Sequence, residues 1–262
     1  MSDLLALDDA SSLTVLLAVF AVLAVSAGLG KFLSGLRKGL EPSDDEGLKV
    51  VLGATLSMFG LLIGFLLTFA ISGYNMRMSA EESEAIAVGN AFQHTTLLPT
   101  EHAQAHAREM LQGYLTARIQ FYETPDEDQR AELRLQSIQM QTRMWTLVSD
   151  ATKSHPSLVM MSLLDATNQL YVTQQETMAS WRQQIPTAAW LVLIIFGVFS
   201  CFLIGYDMRG KYRSMVLVVP FVTAVALFMI AEIDVPGKGV IHVTPDNLKD
   251  VRVTVAQGGL AP

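Results

Sequence analysis

Four stretches of this chain carry almost no charge and are each long enough to cross a bilayer, and this pattern limits the fold more than any motif does. A helix needs roughly 20 mostly apolar residues to span the hydrocarbon core. Leu13–Gly30 lies between Asp9 and Lys31 without an ionisable side chain, and Val50–Tyr74 lies between Lys49 and Arg77. Thr187–Tyr206 follows Arg182 and precedes Asp207, while Met215–Ile233 follows Arg213 and meets its first acid at Glu232. Lipid cannot hydrogen-bond to backbone amides, so such runs cross as helices whose backbone groups are satisfied internally. The pattern predicts four transmembrane helices.

Composition agrees once it is divided along the chain. Charged residues make up 16% and hydrophobic ones 51%, against about 25% charged in soluble domains, and the deficit sits in the four runs. A net charge of -7 without a basic cluster argues against a nucleic-acid partner. Cys201 is the only cysteine and lies inside the third run, so it reads as a small buried hydrophobe, with no disulfide framework. Met1–Ala10 holds three aspartates and no Lys or Arg. Without the basic start of a signal peptide, the first run is expected to be retained.

The expected organisation is all-α: a tail at 1–12, two spans joined by a basic loop at 13–74, a helical domain at 75–186, two spans and a basic loop at 187–233, and a tail at 234–262. Short-loop charges give the orientation. Lys31, Arg37, Lys38 and Lys49 in the first loop join Arg209, Lys211 and Arg213 in the third, whereas the N-terminal tail has no basic residue. The middle domain offers chiefly Arg77 and Arg182 at its flanks, and Lys238, Lys249 and Arg252 in the C-terminal tail weaken the asymmetry slightly. The count places both termini and the middle domain outside the cytoplasm.

Within 75–186 the second-span helix is expected to run on to about Leu97, with Pro99-Thr100 ending it and capping a helix over Glu101–Tyr122. Thr124-Pro125-Asp126-Glu127 reads as a capping box with Thr124 at N-cap. Leu135, Ile138, Trp145 and Val148, with polar Thr142 among them, form one face of the helix it opens, which His155-Pro156 breaks. Leu164, Tyr171, Met178 and Ile185 recur every seven residues as a coiled-coil-like seam. That helix is expected to enter the third span through a kink at Pro186.

Chemistry is sparse. No hydrolase elbow, phosphate-cradling glycine loop or dinucleotide fingerprint occurs, so neither catalysis nor a cofactor is expected. His102 and His106 sit one helical turn apart and could share a metal, but Ala103 stands where a zinc-protease glutamate would, and solvated positions explain both better. The second span is more informative. Gly53, Ser57, Gly60 and Gly64 form a stripe of small residues suited to close helix packing. Leu61, Phe65, Thr68 and Ser72 form a second stripe about 80° away, able to line a narrow hydrophobic constriction. Ordinary helix packing of both stripes is the plainer reading. Glu232 and Asp234 end the fourth span, where a helix dipole disfavours acids. They could attract cations at a pore mouth, but a structural ion pair with Arg77 or Arg182 is the better account. No ionisable group precedes Glu232 within the spans, which disfavours proton-coupled transport.

Several motifs resemble the bestrophin-like family of bacterial four-span membrane proteins, from about Val50 to Val253. They are Gly64-Phe65 leading to Tyr74 and Arg77, then Glu84-Ala85, Leu98-Pro99, and Tyr114-Leu115-x-x-Arg118-x-x-Phe121-Tyr122. Ile185-Pro186 follows, and the most specific is Glu232-Ile233-Asp234-x-Pro236-x-x-Gly239-x-Ile241-x-Val243. The family more often has Asp at the Glu232 position and Arg at that of Val235, so a role needing that Arg is in doubt here. The resemblance implies a four-span architecture. More distantly it implies a pentameric anion channel whose second helix lines a hydrophobic neck, with Ser57, Leu61 and Phe65 as neck candidates. True bestrophins favour bulkier residues where Ser57 stands and keep the helical domain in the cytosol; the charge count of this chain places it on the other side. The leading expectation is a homo-oligomeric, channel-like pore in membrane lipid that passes small ions, with the pentamer as its expected form. The alternatives are a non-conducting sensor that binds a ligand or partner through its helical domain, and a metal-binding protein using His102 and His106.

Overall fold

A computed structural model describes residues 12–36, 45–208, 215–237 and 241–256. These form helices α1 (Ser12–Leu36), α2 (Asp45–His94), α3 (Glu101–Glu123), α4 (Glu127–Ser154) and α5 (Leu158–Arg182), then α6 (Thr187–Asp207), α7 (Val218–Asp234) and α8 (Asp246–Ala256). Short 3-10 turns at Thr95–Leu97 and Met215–Leu217 follow α2 and precede α7. Four helices are long and apolar enough to cross a membrane, and they contain the four expected runs. The loop residues Arg37, Lys38, Arg209, Lys211 and Arg213, and the motif residue Gly239, lie outside the described residues.

The chain divides into two compact units. The first holds Met1–Ser72, Gln184–Val235 and Gly239–Ile241, and the second holds Gly73–Gln183, Pro236–Lys238 and His242–Pro262. The first is built on a close crossing of α1 and α6. A Cβ on Gly30 would overlap the Phe202 carbonyl, and one on Gly205 would overlap that of Ala27, so the two backbones touch where both helices carry glycine. Beside the crossing, the Ser26 hydroxyl donates to the Val198 carbonyl at 2.7 Å. Small residues and an interhelical hydrogen bond hold spans together where lipid supplies no hydrophobic drive between helices. Cys201 is fully buried near this crossing, as expected of a small core residue.

The second unit packs α3, α4, α5, α8 and the latter half of α2 around one core that includes Val88, Leu111, Leu115, Val148 and Leu163. Thr100 caps α3 by accepting the Ala103 N–H, as expected. α4 departs from expectation: its N-cap is Asp126, whose carboxylate accepts the N–H groups of Asp128 and Gln129, while Thr124 closes α3. A carboxylate accepts two bonds next to the positive helix end, so it captures the cap from the hydroxyl two residues earlier.

Three further expectations need correction. The buried side of α4 carries Leu133, Ser137, Gln141, Met144 and Val148, whereas Leu135 and Trp145 are exposed. Of the expected α5 seam, Met178 and Ile185 are buried and Leu164 is half-buried, but Tyr171 is exposed, and the most deeply buried line runs one residue earlier through Leu163, Leu170 and Thr177. The polar network described below shares the buried side of both helices with apolar residues such as Leu133, Val148, Leu163 and Leu170. Finally, the chain does not kink through Pro186. α5 stops at Arg182, and Pro186 is extended (φ -56°, ψ 139°) before α6 begins. Proline forces its predecessor out of the helical region, which breaks the helix here.

Candidate functional site

α2 is a continuous helix of 50 residues, about 75 Å at 1.5 Å per residue, and its two sides differ along its whole length. In the span, its inner side is marked by buried Phe59, Ala70 and Gly73, and the Phe59 ring packs against Gly197 of α6. The outer side carries all the residues singled out from sequence. Ser57, Leu61, Phe65 and Thr68 are exposed, Leu61 at 59% and Phe65 at 65%. Gly53, Gly60 and Gly64 are exposed beside them, and a Cβ at any of the three would meet nothing within 4 Å. The Thr68 hydroxyl bonds back to the Gly64 carbonyl at 2.9 Å, so its donor is used within the helix. Among the described residues of the spans, the tight helix contacts are thus those of Gly30, Gly197 and Gly205, not those of the α2 stripe.

Beyond the span the same division continues. Arg77, Glu81 and Glu84 recur along the buried inner side. The outer side presents Ser79, Glu82, Ile86, Asn90 and Gln93, and Glu82 is the one exposed ionisable residue between Lys49 and His94.

Glu84 is the centre of a network that sequence reading met only as scattered motif residues. Its Oε1 accepts the Tyr114 hydroxyl at 2.7 Å and the Arg118 Nε–H. Its Oε2 accepts Arg118 Nη2 at 3.0 Å and the Thr177 hydroxyl at 2.9 Å. Glu84 and Arg118 are both fully buried. Such a bidentate pair gains geometric definition as well as charge-assisted bonding, and four donors on the Glu84 oxygens offset its desolvation, although Arg118 Nη1 is buried with no hydrogen-bond partner among the described residues. Arg118 also lies 4.4 Å from the Phe121 ring centroid. Burial acts to lower the affinity of Arg118 for its proton, but Glu84 outweighs it and the net direction is upward. Burial, then the Glu84 charge, pushes the Tyr114 hydroxyl well up, so it stays a donor. The polar layer extends through Gln141, which donates to the Leu170 carbonyl at 2.9 Å, and Gln174, which donates to Ser137 at 2.7 Å.

Glu81 anchors the C-terminal helix. It accepts the Leu248 N–H at 2.9 Å and the Asn247 amide at 2.6 Å, at the first turn of α8. Burial raises its pKa, and those two bonds oppose the rise only in part. Lys249 adds an ion pair with Glu123 at 2.7 Å.

The boundary charges are held locally. Asp234 is buried at the end of α7 and accepts the Ile185 N–H at 2.9 Å, satisfying a backbone group freed where the chain leaves helix before Pro186. Arg77 is buried and donates to the Gln183 carbonyl at 3.5 Å, while Arg182 is exposed and Glu232 half-buried. Gly237, just after the fourth span, has φ +68°, and a Cβ there would press on the Trp181 ring and the Arg130 guanidinium. Sequence reading quoted Gly239 and passed over Gly237. His102 and His106 are exposed, and His106 Nδ1 lies 3.9 Å from Glu109. Among the described residues no three His, Cys, Asp or Glu side chains gather around a common point for a metal ion.

Residues 17–248 match the Bestrophin-like domain. No curated protein matches the chain in sequence. Among solved structures, the fold is similar to that of a membrane protein at TM-score 0.67 and 12% identity, covering 95% of this chain and 99% of that one. It is also similar to a bacterial bestrophin homologue from Klebsiella pneumoniae at TM-score 0.65 and 14% identity, covering 96% and 97%. A further structure of a Klebsiella pneumoniae bestrophin homologue gives TM-score 0.64 at 14% identity, covering 95% and 99%.

Proposed function

Because this chain belongs to the bestrophin-like family of integral membrane proteins, we propose that it assembles into a homo-oligomeric, channel-like pore lined by the outer side of α2. The observation that carries this reading is the outward placement of both α2 stripes. Only 6% of the most apolar stretch of that span is buried, against 39% for the third and fourth. A lipid-facing surface gains nothing from Gly53, Ser57, Gly60, Gly64 and Thr68, whereas close approach of helices from other copies does. Leu61 and Phe65 then supply an apolar ring that gates by dewetting. A pentamer in the bacterial inner membrane is the assembly the family suggests.

In this reading the helical unit stands outside the bilayer between the second and third spans, and the loop charges put it and both termini outside the cytoplasm. Glu232 and Asp234 at the end of the fourth span serve structure, not ligand binding, as Asp234 does in accepting the Ile185 N–H. A sensor role is favoured by one feature, a groove of about 270 Å³ on the helical unit, walled by Trp145 and Tyr171.

The test is reconstitution of purified protein in lipid. A ring-shaped oligomer with α2 around an axial path, and a conductance in planar bilayers that rises in Phe65→Ala, is the expected result. A monomer, or an oligomer with α2 on its lipid-facing rim, overturns the proposal.

A further inference from the structure

The groove between α4 and α5 lies wholly within the helical unit, and its chemistry is one-sided. Trp145 of α4 and Tyr171 of α5 wall it, with Ile138 beside them, around a space of about 270 Å³. No Lys, Arg, His, Asp or Glu lines it. Its two threonines have spent their protons. The Thr142 hydroxyl donates to the Ile138 carbonyl at 2.9 Å and the Thr167 hydroxyl to the Leu163 carbonyl at 2.8 Å, so both present lone pairs only.

Gln141 sharpens the asymmetry. Its side chain lines the groove and is only 8% exposed. Nε2 donates to the Leu170 carbonyl at 2.9 Å, and because a carbonyl can only accept, that bond fixes which end of the amide is nitrogen. Oε1 is left buried with no hydrogen-bond partner among the described residues. A buried acceptor without a donor is costly, and such groups are rare in folded proteins. The neighbouring Tyr114 hydroxyl, 3.4 Å from Nε2, cannot serve it, since its own proton goes to Glu84.

We infer that this groove binds a small uncharged aromatic molecule whose N–H or O–H donates to Gln141 Oε1 while its ring packs against Trp145 and Tyr171. This rests on the sensor reading of the same groove and not on the pore. Small-molecule sites combine apolar walls with a few placed polar groups, and aromatic walls favour a ring in offset or edge-on contact. An ionic ligand would find no counter-charge among the lining residues to offset its desolvation. A ligand with acceptors alone would bring lone pairs to lone pairs. Seated between the two rings, the molecule leaves their outer edges, with exposed Leu135, to a neighbouring copy.

The experiment is equilibrium dialysis of the full-length protein in lipid nanodiscs, corrected by empty nanodiscs, with indole and 1-methylindole as probes. The first has a ring N–H and the second has it capped. Wild type, Gln141→Met and Thr142→Trp are compared at matched oligomeric state. Wild type is expected to take up indole saturably, one per chain, and to bind 1-methylindole more weakly by roughly 2–10-fold, the worth of one neutral hydrogen bond. Gln141→Met should erase that difference. Thr142→Trp, which fills the groove from an exposed position, should abolish saturable uptake of both, and it decides the matter with wild type alone if Gln141→Met does not fold. Equal affinity of wild type for the two probes, with uptake still blocked by Thr142→Trp, overturns the donor to Gln141 and leaves the sensor groove standing. Uptake no greater than that of empty nanodiscs, or unchanged by Thr142→Trp, overturns the groove as a binding site and the sensor reading with it.

Discussion

Replacing Arg118 with Met removes the guanidinium from a carboxylate that receives four donors, and leaves Glu84 buried with the hydroxyls of Tyr114 and Thr177 alone. Breaking a buried ion pair by deleting one partner costs about 3–5 kcal/mol. The two surviving hydroxyl bonds place this case at the low end, about 3 kcal/mol. For a domain of this size that is a fall of roughly 10 °C in Tm, to be read by tryptophan fluorescence and helical circular dichroism of the detergent-solubilised protein. Adding Glu84→Gln removes the orphaned charge, so the double variant should be less destabilised than the sum of the single ones by at least ~1 kcal/mol. A loss below about 2 °C in Arg118→Met, or strict additivity in the double variant, would refute the claim that this pair organises the helical unit.

Two other perturbations test separate parts of the structure. Burial raises the pKa of Glu81 above its ordinary value of 4.5, so docking of α8 should strengthen as pH falls from the raised value towards 4.5 and weaken above it. Hydrogen exchange of amides 246–256, corrected for intrinsic rates, should show that trend in wild type and a flat profile in Glu81→Gln. Gly205→Ala drives a methyl into the Ala27 carbonyl and should separate α1 from α6, lowering Tm by several degrees, about 1–3 kcal/mol of overpacking. The same change at Gly60, whose Cβ would meet nothing within the chain, should leave monomer stability alone and act only on assembly, as seen by size-exclusion chromatography with light scattering.

The spans were legible because hydrocarbon imposes one rule on every residue within them, and Leu13–Gly30 or Thr187–Tyr206 can satisfy it only as helix. The ends of helices with unambiguous breakers, such as Pro99-Thr100 and His155-Pro156, were legible for a similar local reason. The Glu84 centre was not. Its donors come from positions 30, 34 and 93 residues away, and no local periodicity reports a pairing of that range. Tyr114 and Arg118 lie one turn apart on α3, and that spacing with a buried Glu was the only signal available. The break before Pro186 was misjudged because proline at a helix entry and proline within a helix look alike until it is known where the freed Ile185 N–H goes. It goes to Asp234.

The misread seams of α4 and α5 carry a positive argument. Hydrophobic periodicity reports which residues gain from leaving water; it does not say which molecule covers them. On α4 and α5 the chain buries Ser137, Gln141, Gln174 and Thr177 and leaves Leu135, Trp145 and Tyr171 outside, Trp145 at 44% and Tyr171 at 54% exposure. A solvated monomer would reverse that choice, since satisfied polar groups contribute little on burial and apolar area contributes about 25 cal/mol per Å². The arrangement is economical if the interior network fixes the helices against one another and the outer apolar faces are covered by a further copy. Large apolar patches on otherwise soluble surfaces mark such contacts. The outward stripes of α2 point the same way by independent physics, that of lipid instead of water. Trp145→Ala and Tyr171→Ala should therefore weaken the oligomer while sparing the thermal stability of the dissociated chain, and the opposite result would return these faces to the monomer.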